Sequence, residues 1–177
     1  MHVFRISKAR YATLPQLLSG EGARLAGGRW NPPGTALVYT SATAELAAWE
    51  VWVHLAGAAE TELPPLVLVT LEIPNESILV VEENQFPPNW NEIPPLESTQ
   101  SFTKDWLKEK DHLALRVPSV IIPRAYNYLL NPSHPRVEEV RLVEMQPFAF
   151  DARLTALRRK PTAVASDLLD SILRKKR

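Results

Sequence analysis

The sequence predicts an α+β domain whose sheet is mostly antiparallel or split. Short β-type runs recur along the chain, few segments have helical periodicity, and prolines interrupt its middle. The 177 residues are enough for one domain with a core of its own. Proline lacks an N–H group and restricts the residue before it, so long helices are not expected near the paired prolines. Those pairs are Pro32-Pro33, Pro64-Pro65, Pro87-Pro88 and Pro94-Pro95.

Eight runs have strand character, because they are rich in β-branched, aromatic or leucine residues and end at turn-forming residues. They cover residues 2–6, 36–40, 67–73, 78–81, 113–117, 120–122, 126–130 and 140–145. The third and fourth runs are joined by a Pro-Asn turn. Residues 82–98 are acidic and proline-rich, which predicts a surface loop.

Helical spacing is clearest over 44–55, an Ala- and Leu-rich segment that Ser41 or Thr43 can cap. Shorter helical segments are expected over 11–19, 101–109 and 161–173. A loop is expected directly after the 11–19 segment, because glycines occur there at 20, 22, 27 and 28. Their spacing does not match a dinucleotide-binding fingerprint.

Composition and charge exclude several classes of protein. The chain has no cysteine, which removes disulfides, thiolate metal sites and cysteine nucleophiles. No apolar run approaches the roughly 20 residues of a membrane helix, and the N-terminus lacks a signal-peptide core, so we expect a cytoplasmic protein. Residues 153–177 carry eight Lys/Arg and two acidic residues, whereas the body of the chain, residues 1–152, has a net charge near −6. An acidic body is not expected to bind nucleic acid.

Residues 27–54 hold the strongest functional signal, because Arg29, Tyr39 and Glu50 fall there in a loop, a strand and a helix. A helical glutamate facing inward needs a partner and often marks a site, although a surface glutamate near His54 fits the same spacing. Arg29 suits an anionic ligand or is an ordinary loop arginine, and Tyr39 is a stacking surface or a core tyrosine. A metal site at Glu50 and His54 has little support, since no paired ligand spacing occurs.

Three segments resemble the RES domain family, the toxins of RES–Xre toxin–antitoxin modules. They read GGRWNPPGTALVYTSATAELAAWEVWVHL, LRVPSVIIPRAYNYLLNPSHP and PFAFDARL. The arginine, tyrosine, glutamate and serine of the family pattern are Arg29, Tyr39, Glu50 and Ser119. The resemblance implies a RES domain over 1–154 with an ADP-ribosyltransferase-like fold, and leaves 155–177 as a basic amphipathic extension. That extension could pack on the body, join an oligomer, contact an antitoxin or stay disordered.

The resemblance also implies an activity, namely degradation of NAD by cleavage of its nicotinamide–ribose bond, with growth arrest as the result. NAD would be the substrate, and no cofactor or metal is expected. Glu50 would stabilise the oxocarbenium-like state or orient water, as a carboxylate does in glycoside hydrolysis. Arg29 would hold the pyrophosphate or a ribose hydroxyl, Tyr39 would stack on or orient nicotinamide, and Ser119 would bond the ligand or position Glu50.

Further residues and partners follow from the same resemblance. Arg5, Trp30 and Asn31 are second-rank substrate-binding candidates, whereas Asn127, Asn131 and His134 are expected to hold a turn. The expected partner is an Xre-like helix-turn-helix antitoxin, and a homodimer within the complex is left open. Two other functions remain open: ADP-ribosyl transfer to a protein or to phosphate, and a non-enzymatic module that binds through its basic tail.

Overall fold

A seven-stranded sheet forms the body of the protein in a computed structural model that describes residues 1–55 and 63–157. The strand order is β4-β5-β6-β2-β1-β3-β7, and among these described strands only β4 and β5 pair in parallel. The predicted α+β class and mostly antiparallel sheet are therefore confirmed. The strands are β1 (His2–Lys8), β2 (Val38–Ser41), β3 (Leu66–Glu72), β4 (Ile78–Val80), β5 (Ala114–Pro118), β6 (Tyr126–Leu130) and β7 (Arg141–Phe148).

Short helices connect these strands, as the proline content predicts. Thr43 caps the longest helix of the described residues, because its hydroxyl accepts a hydrogen bond from the Leu46 N–H at 3.2 Å. This helix packs against the two central strands β1 and β2. The α-helices of the described ranges are α1 (Leu14–Leu18), α2 (Glu21–Ala26), α3 (Ala44–His54), α4 (Glu97–Ser101), α5 (Lys104–Glu109) and α6 (Ala152–Leu157).

Side-chain alternation divides the core between the two faces of the sheet. Val38 and Leu130 belong to one buried cluster, and Leu129 belongs to the other. The second cluster includes Trp30, whose ring lies 5.8 Å from that of Trp90 in a stacked arrangement. This aromatic packing anchors the loop that precedes β2.

Two expectations about local structure were wrong. Residues 120–122 form a bend and not a strand, because the Ser119 hydroxyl accepts hydrogen bonds from the N–H groups of Ile121 and Ile122. The glycine-rich segment contains α2, which begins after the left-handed Gly20. The helix expected over 161–173 lies outside the described residues.

The turn predicted between β3 and β4 is present as a short 3-10 helix over Asn75–Ser77. The two strands that it joins are nevertheless not neighbours in the sheet. Strand β4 pairs with β5 at one edge, while β3 pairs with β1 and β7 near the other. The turn therefore carries the chain from one side of the sheet to the other.

Candidate active site

A cleft of about 850 Å³ lies beside β1, β2 and α3. Five of the seven site residues predicted from the sequence line it: Arg5, Arg29, Trp30, Tyr39 and Glu50. Ser119 and Asn31 are not among its lining residues, and they lie in the wall behind it. The cleft therefore contains the predicted arginine, tyrosine and glutamate together. The predicted serine does not line the cleft, but it hydrogen-bonds Glu50, which does.

Glu50 faces this cleft from α3. One turn earlier on the helix Leu46 is buried, whereas the neighbouring Trp49 is exposed, so the helix turns its Glu50 side toward the body. The Oε1 atom of Glu50 accepts two hydrogen bonds, from Ser119 Oγ at 2.9 Å and from Asn127 Nδ2 at 2.6 Å. Of the two orientations that the helical spacing allowed, the inward one is therefore present.

The Ser119 hydroxyl can point its hydrogen in only one useful direction. Its oxygen accepts from the Ile121 and Ile122 N–H groups at 3.1 and 3.2 Å, so its hydrogen is left to donate to Glu50. Ser119 is buried behind the cleft wall. Of the two roles expected for this serine, the geometry shows the positioning of Glu50.

Asn127 is a site residue that the sequence interpretation missed. It was expected to hold a turn, which is wrong, because it lies in β6 opposite Ser41 of β2. Its Oδ1 accepts from Ser41 Oγ at 2.8 Å and its Nδ2 donates to Glu50. Only the register between two strands far apart in the sequence brings these groups together. Asn131 and His134 do hold turns, as expected, through bonds to the N–H groups of Ser133 and Arg136.

Arg29 reaches the cleft from the loop before β2. Its Nη1 atom donates to the carbonyl oxygens of Trp90 and Glu92, at 2.7 and 2.8 Å. Its Nε and Nη2 donors have no partner among the described residues. Burial lowers the pKa of Arg29, and the negative charge of Glu50 opposes this effect. The guanidinium thus shares an electrostatic environment with Glu50 and keeps donors available for an anion.

Tyr39 uses its hydroxyl to organise the arginine loop. The hydroxyl donates to Asn31 Oδ1 at 2.7 Å and accepts from the Trp30 N–H at 3.0 Å. Burial raises the pKa of Tyr39, so this group stays protonated and able to donate. A Cβ atom at Gly28 would lie 2.5 Å from the Tyr39 hydroxyl oxygen, so only glycine fits there without displacement.

The second-rank candidates mainly hold this framework together. Arg5 donates through Nη1 to the Leu17 carbonyl oxygen at 2.7 Å, and burial lowers its pKa. Trp30 is 2% exposed within the aromatic cluster. Asn31 is fully buried, and its Nδ2 atom bonds the carbonyl oxygens of Ala23 and Thr35, both at 2.9 Å.

The chemistry of this cleft follows from its charged groups. A fixed carboxylate and a partly unpaired guanidinium suit a ligand with developing positive charge near one end and anionic groups further along. Within residues 1–55 and 63–157, no group of three His, Asp or Glu side chains is placed to hold a metal ion. In the same part of the chain, no helix has the length and apolar character needed to cross a bilayer.

Comparison with known proteins assigns the family. The family model described as RES domain matches residues 2–151. The chain belongs to the RES domain family. A Toxin Res of Yersinia enterocolitica is 35% identical over 156 residues, covering 87% of this chain and 99% of the relative. A Prs ADP-ribosylating toxin of a Sphingobium species is 36% identical over 141 residues, covering 77% and 86%.

A solved structure supports the fold of this RES domain. The toxin–antitoxin complex MbcT–MbcA of M. tuberculosis contains a chain that matches with a TM-score of 0.58 and 20% identity. The match covers 90% of this chain and 89% of that one. The overall fold is therefore shared with a chain of a toxin–antitoxin complex.

Proposed function

We propose that this protein is the toxin of a toxin–antitoxin module and that it degrades NAD by cleaving the nicotinamide–ribose bond. The observation that carries the proposal is the Glu50 carboxylate, which is fixed by two donors in a cleft shared with Arg29 and Tyr39. Two relatives named as toxins and the family match support the toxin part of this proposal. NAD is the substrate, and the reaction needs no further cofactor.

The proposed reaction places the ribose of the nicotinamide nucleoside beside Glu50. The bond between the ribose carbon and the nicotinamide nitrogen breaks, and its electron pair neutralises the cationic ring. Little general acid is needed, because nicotinamide leaves as a neutral molecule. Positive charge develops on the ribose, as in glycoside hydrolysis, and a nearby carboxylate lowers the energy of that state. Water adds to the ribose carbon and loses a proton, giving ADP-ribose.

The other residues bind the pyrophosphate and the nicotinamide ring of the substrate or position Glu50. Arg29 pairs with the pyrophosphate through its unpaired Nε and Nη2 donors, for which a planar guanidinium is suited. The hydroxyl of Tyr39 is already bonded on both sides, so its ring is the part offered to nicotinamide. Ser119 acts through Glu50 rather than on NAD.

A release assay tests the proposal. Purified protein is incubated with NAD, and free nicotinamide and ADP-ribose are measured. We expect release from the unmodified protein and a loss of at least about 100-fold in Glu50→Gln, because removing one preorganised group that stabilises transition-state charge costs about 10²–10³ in rate. Glu144→Gln on the exposed edge strand is the matched control and should retain activity. No release from the unmodified protein, or equal release from Glu50→Gln, would refute the proposal.

A second candidate keeps the site and changes the acceptor. The Sphingobium relative is named an ADP-ribosylating toxin, which favours transfer of ADP-ribose to a protein. Phosphate is a third acceptor that the same oxocarbenium-like state allows. Mass spectrometry of the products, with and without phosphate and with a cell lysate, separates free ADP-ribose, ADP-ribose phosphate and modified protein.

The proposed setting is the cytoplasm, with a helix-turn-helix antitoxin as the partner. The matching M. tuberculosis chain was solved in a toxin–antitoxin complex, which supports an antitoxin partner for this chain. Expression alone should arrest growth, and co-expression with a small helix-turn-helix protein encoded beside the gene should restore it. Growth arrest that persists in Glu50→Gln would separate toxicity from NAD degradation.

A further inference from the structure

We propose that Asn127 is a positioning residue that, together with Ser119, fixes Glu50 so that one carboxylate oxygen alone serves the substrate. This inference rests on the proposed function of Glu50 and extends it to two residues, Asn127 and Ser41, outside the arginine–tyrosine–glutamate–serine pattern. The carrying observation is that both donors bond the same oxygen, Oε1, at 2.6 and 2.9 Å.

The amide of Asn127 is held in one orientation. Its Oδ1 accepts from Ser41 Oγ at 2.8 Å, which leaves its Nδ2 group facing Glu50. Asn127 is 9% exposed and Ser41 is 4% exposed, so water competes little for these bonds. The pairing of β2 with β6 sets Ser41 directly opposite Asn127, with both side chains on one face of the sheet. The strand register thus determines which way the amide points.

This arrangement gives the two carboxylate oxygens of Glu50 different hydrogen-bonding environments. Oε1 is occupied by two donors, each of which is itself oriented by a second bond. Among the described residues, no donor contacts Oε2. Glu50 lines the cleft, so Oε2 is the oxygen available to a ribose hydroxyl or to the attacking water. A flexible glutamate is thereby ordered before the substrate binds, which is the condition for effective electrostatic catalysis.

Three variants separate positioning from a general structural role. Asn127→Ala removes the donor, and Ser41→Ala leaves the donor present but free to turn. We expect Asn127→Ala to lower kcat about 10- to 100-fold with KM for NAD changed by less than about threefold, because a misplaced catalytic group loses rate rather than binding. Ser41→Ala should show a smaller loss of kcat in the same direction. Circular dichroism and thermal melting establish that each variant is folded.

Asn127→Asp is the third variant and provides a pH signature that a structural role would not produce. The introduced carboxyl can donate to Glu50 only while it holds its proton, and two carboxyl groups that share one site retain that proton more firmly than an isolated one. We therefore expect this variant to be active at acidic pH and to lose activity as pH rises. The unmodified protein should show no such falling limb over the same interval.

Three results would overturn the inference. Asn127→Ala with kcat within about twofold of the unmodified protein would do so, as would an Asn127→Asp profile that is merely scaled down at every pH. Ser41→Ala, which does not touch Glu50, keeps the test available if the Asn127 variants do not fold. A crystal structure of Ser41→Ala or Asn127→Ala in which Glu50 keeps its rotamer and both oxygens keep their places would also contradict it.

The failure of this inference can be told apart from failure of the proposed function. If the unmodified protein releases no nicotinamide and modifies no acceptor, the proposed function fails while the crystallographic test of Glu50 still applies. If the unmodified protein cleaves NAD and the Asn127 and Ser41 variants do so equally well, only the positioning inference fails.

Discussion

Replacing Tyr39 by phenylalanine tests whether the hydroxyl of this residue holds the arginine loop in place. The change removes one oxygen and keeps the ring. The lost oxygen bonds two groups, Asn31 Oδ1 and the Trp30 N–H, and no other described group bonds either of them. Asn31 is fully buried and Trp30 is 2% exposed, so water cannot readily replace the hydroxyl.

The size of the effect follows from these two orphaned groups. A buried donor or acceptor left without a partner costs about 1–3 kcal/mol, so two should lower the free energy of unfolding by about 2–6 kcal/mol. With a urea m-value of about 2 kcal/mol/M for a domain of this size, the urea midpoint should fall by about 1–3 M. The m-value should stay the same, because the surface exposed on unfolding hardly changes.

Urea unfolding followed by tryptophan fluorescence measures this difference. Tyr128→Phe is the matched control, because the Tyr128 side chain is also half-buried and its hydroxyl bonds no described residue. We expect the control to lie within about 0.5 kcal/mol of the unmodified protein. A Tyr39→Phe variant as stable as the Tyr128→Phe variant would refute the reasoning.

Two further predictions concern the same hydroxyl. Gly28→Ala should lower the free energy of unfolding by about 1–3 kcal/mol, because a Cβ atom at this position would lie 2.5 Å from the Tyr39 hydroxyl oxygen. The loss should be smaller in a Tyr39→Phe background, and strictly additive free energies of unfolding would contradict this prediction. Burial raises the pKa of Tyr39, so above about pH 10 the unfolded chain loses this proton first and stability falls as pH rises. The stability gap between the unmodified protein and Tyr39→Phe should therefore narrow by up to about 1.4 kcal/mol per pH unit, and an equal gap at about pH 8 and pH 11 would contradict it.

Local signals in the sequence predicted much of the secondary structure. The Thr43 cap and the Ala- and Leu-rich run after it placed α3 within a residue of its observed end. Seven of the eight predicted strand runs are strands, because β-branched and leucine residues recur between turn formers. The eighth run, 120–122, failed because the Ser119 side chain bonds its N–H groups and turns the chain. The order of the strands, which puts β4 far from β3, has no local signal.

The functional pattern was only partly predictable. Arg29, Tyr39 and Glu50 are close in sequence and lie in a consecutive loop, strand and helix, so their proximity in one cleft could be expected from the sequence. Asn127 resembled a turn residue because it lies in an Asn- and Pro-rich segment, and nothing local distinguishes it from Asn131. Its bond to Ser41 spans 86 residues of sequence and exists only through the pairing of β2 with β6.

The sequence by itself therefore determined the α+β class, the capped helix that carries Glu50 and the family motif that joins it to Arg29, Tyr39 and Ser119. Only the tertiary structure decided that Glu50 faces the cleft, that Ser119 lies behind it, and that Asn127 shares the same carboxylate oxygen. The physical reason is that helix caps and strand propensity act over a few residues. Hydrogen bonds between side chains depend on strand register and packing, which the whole chain sets together.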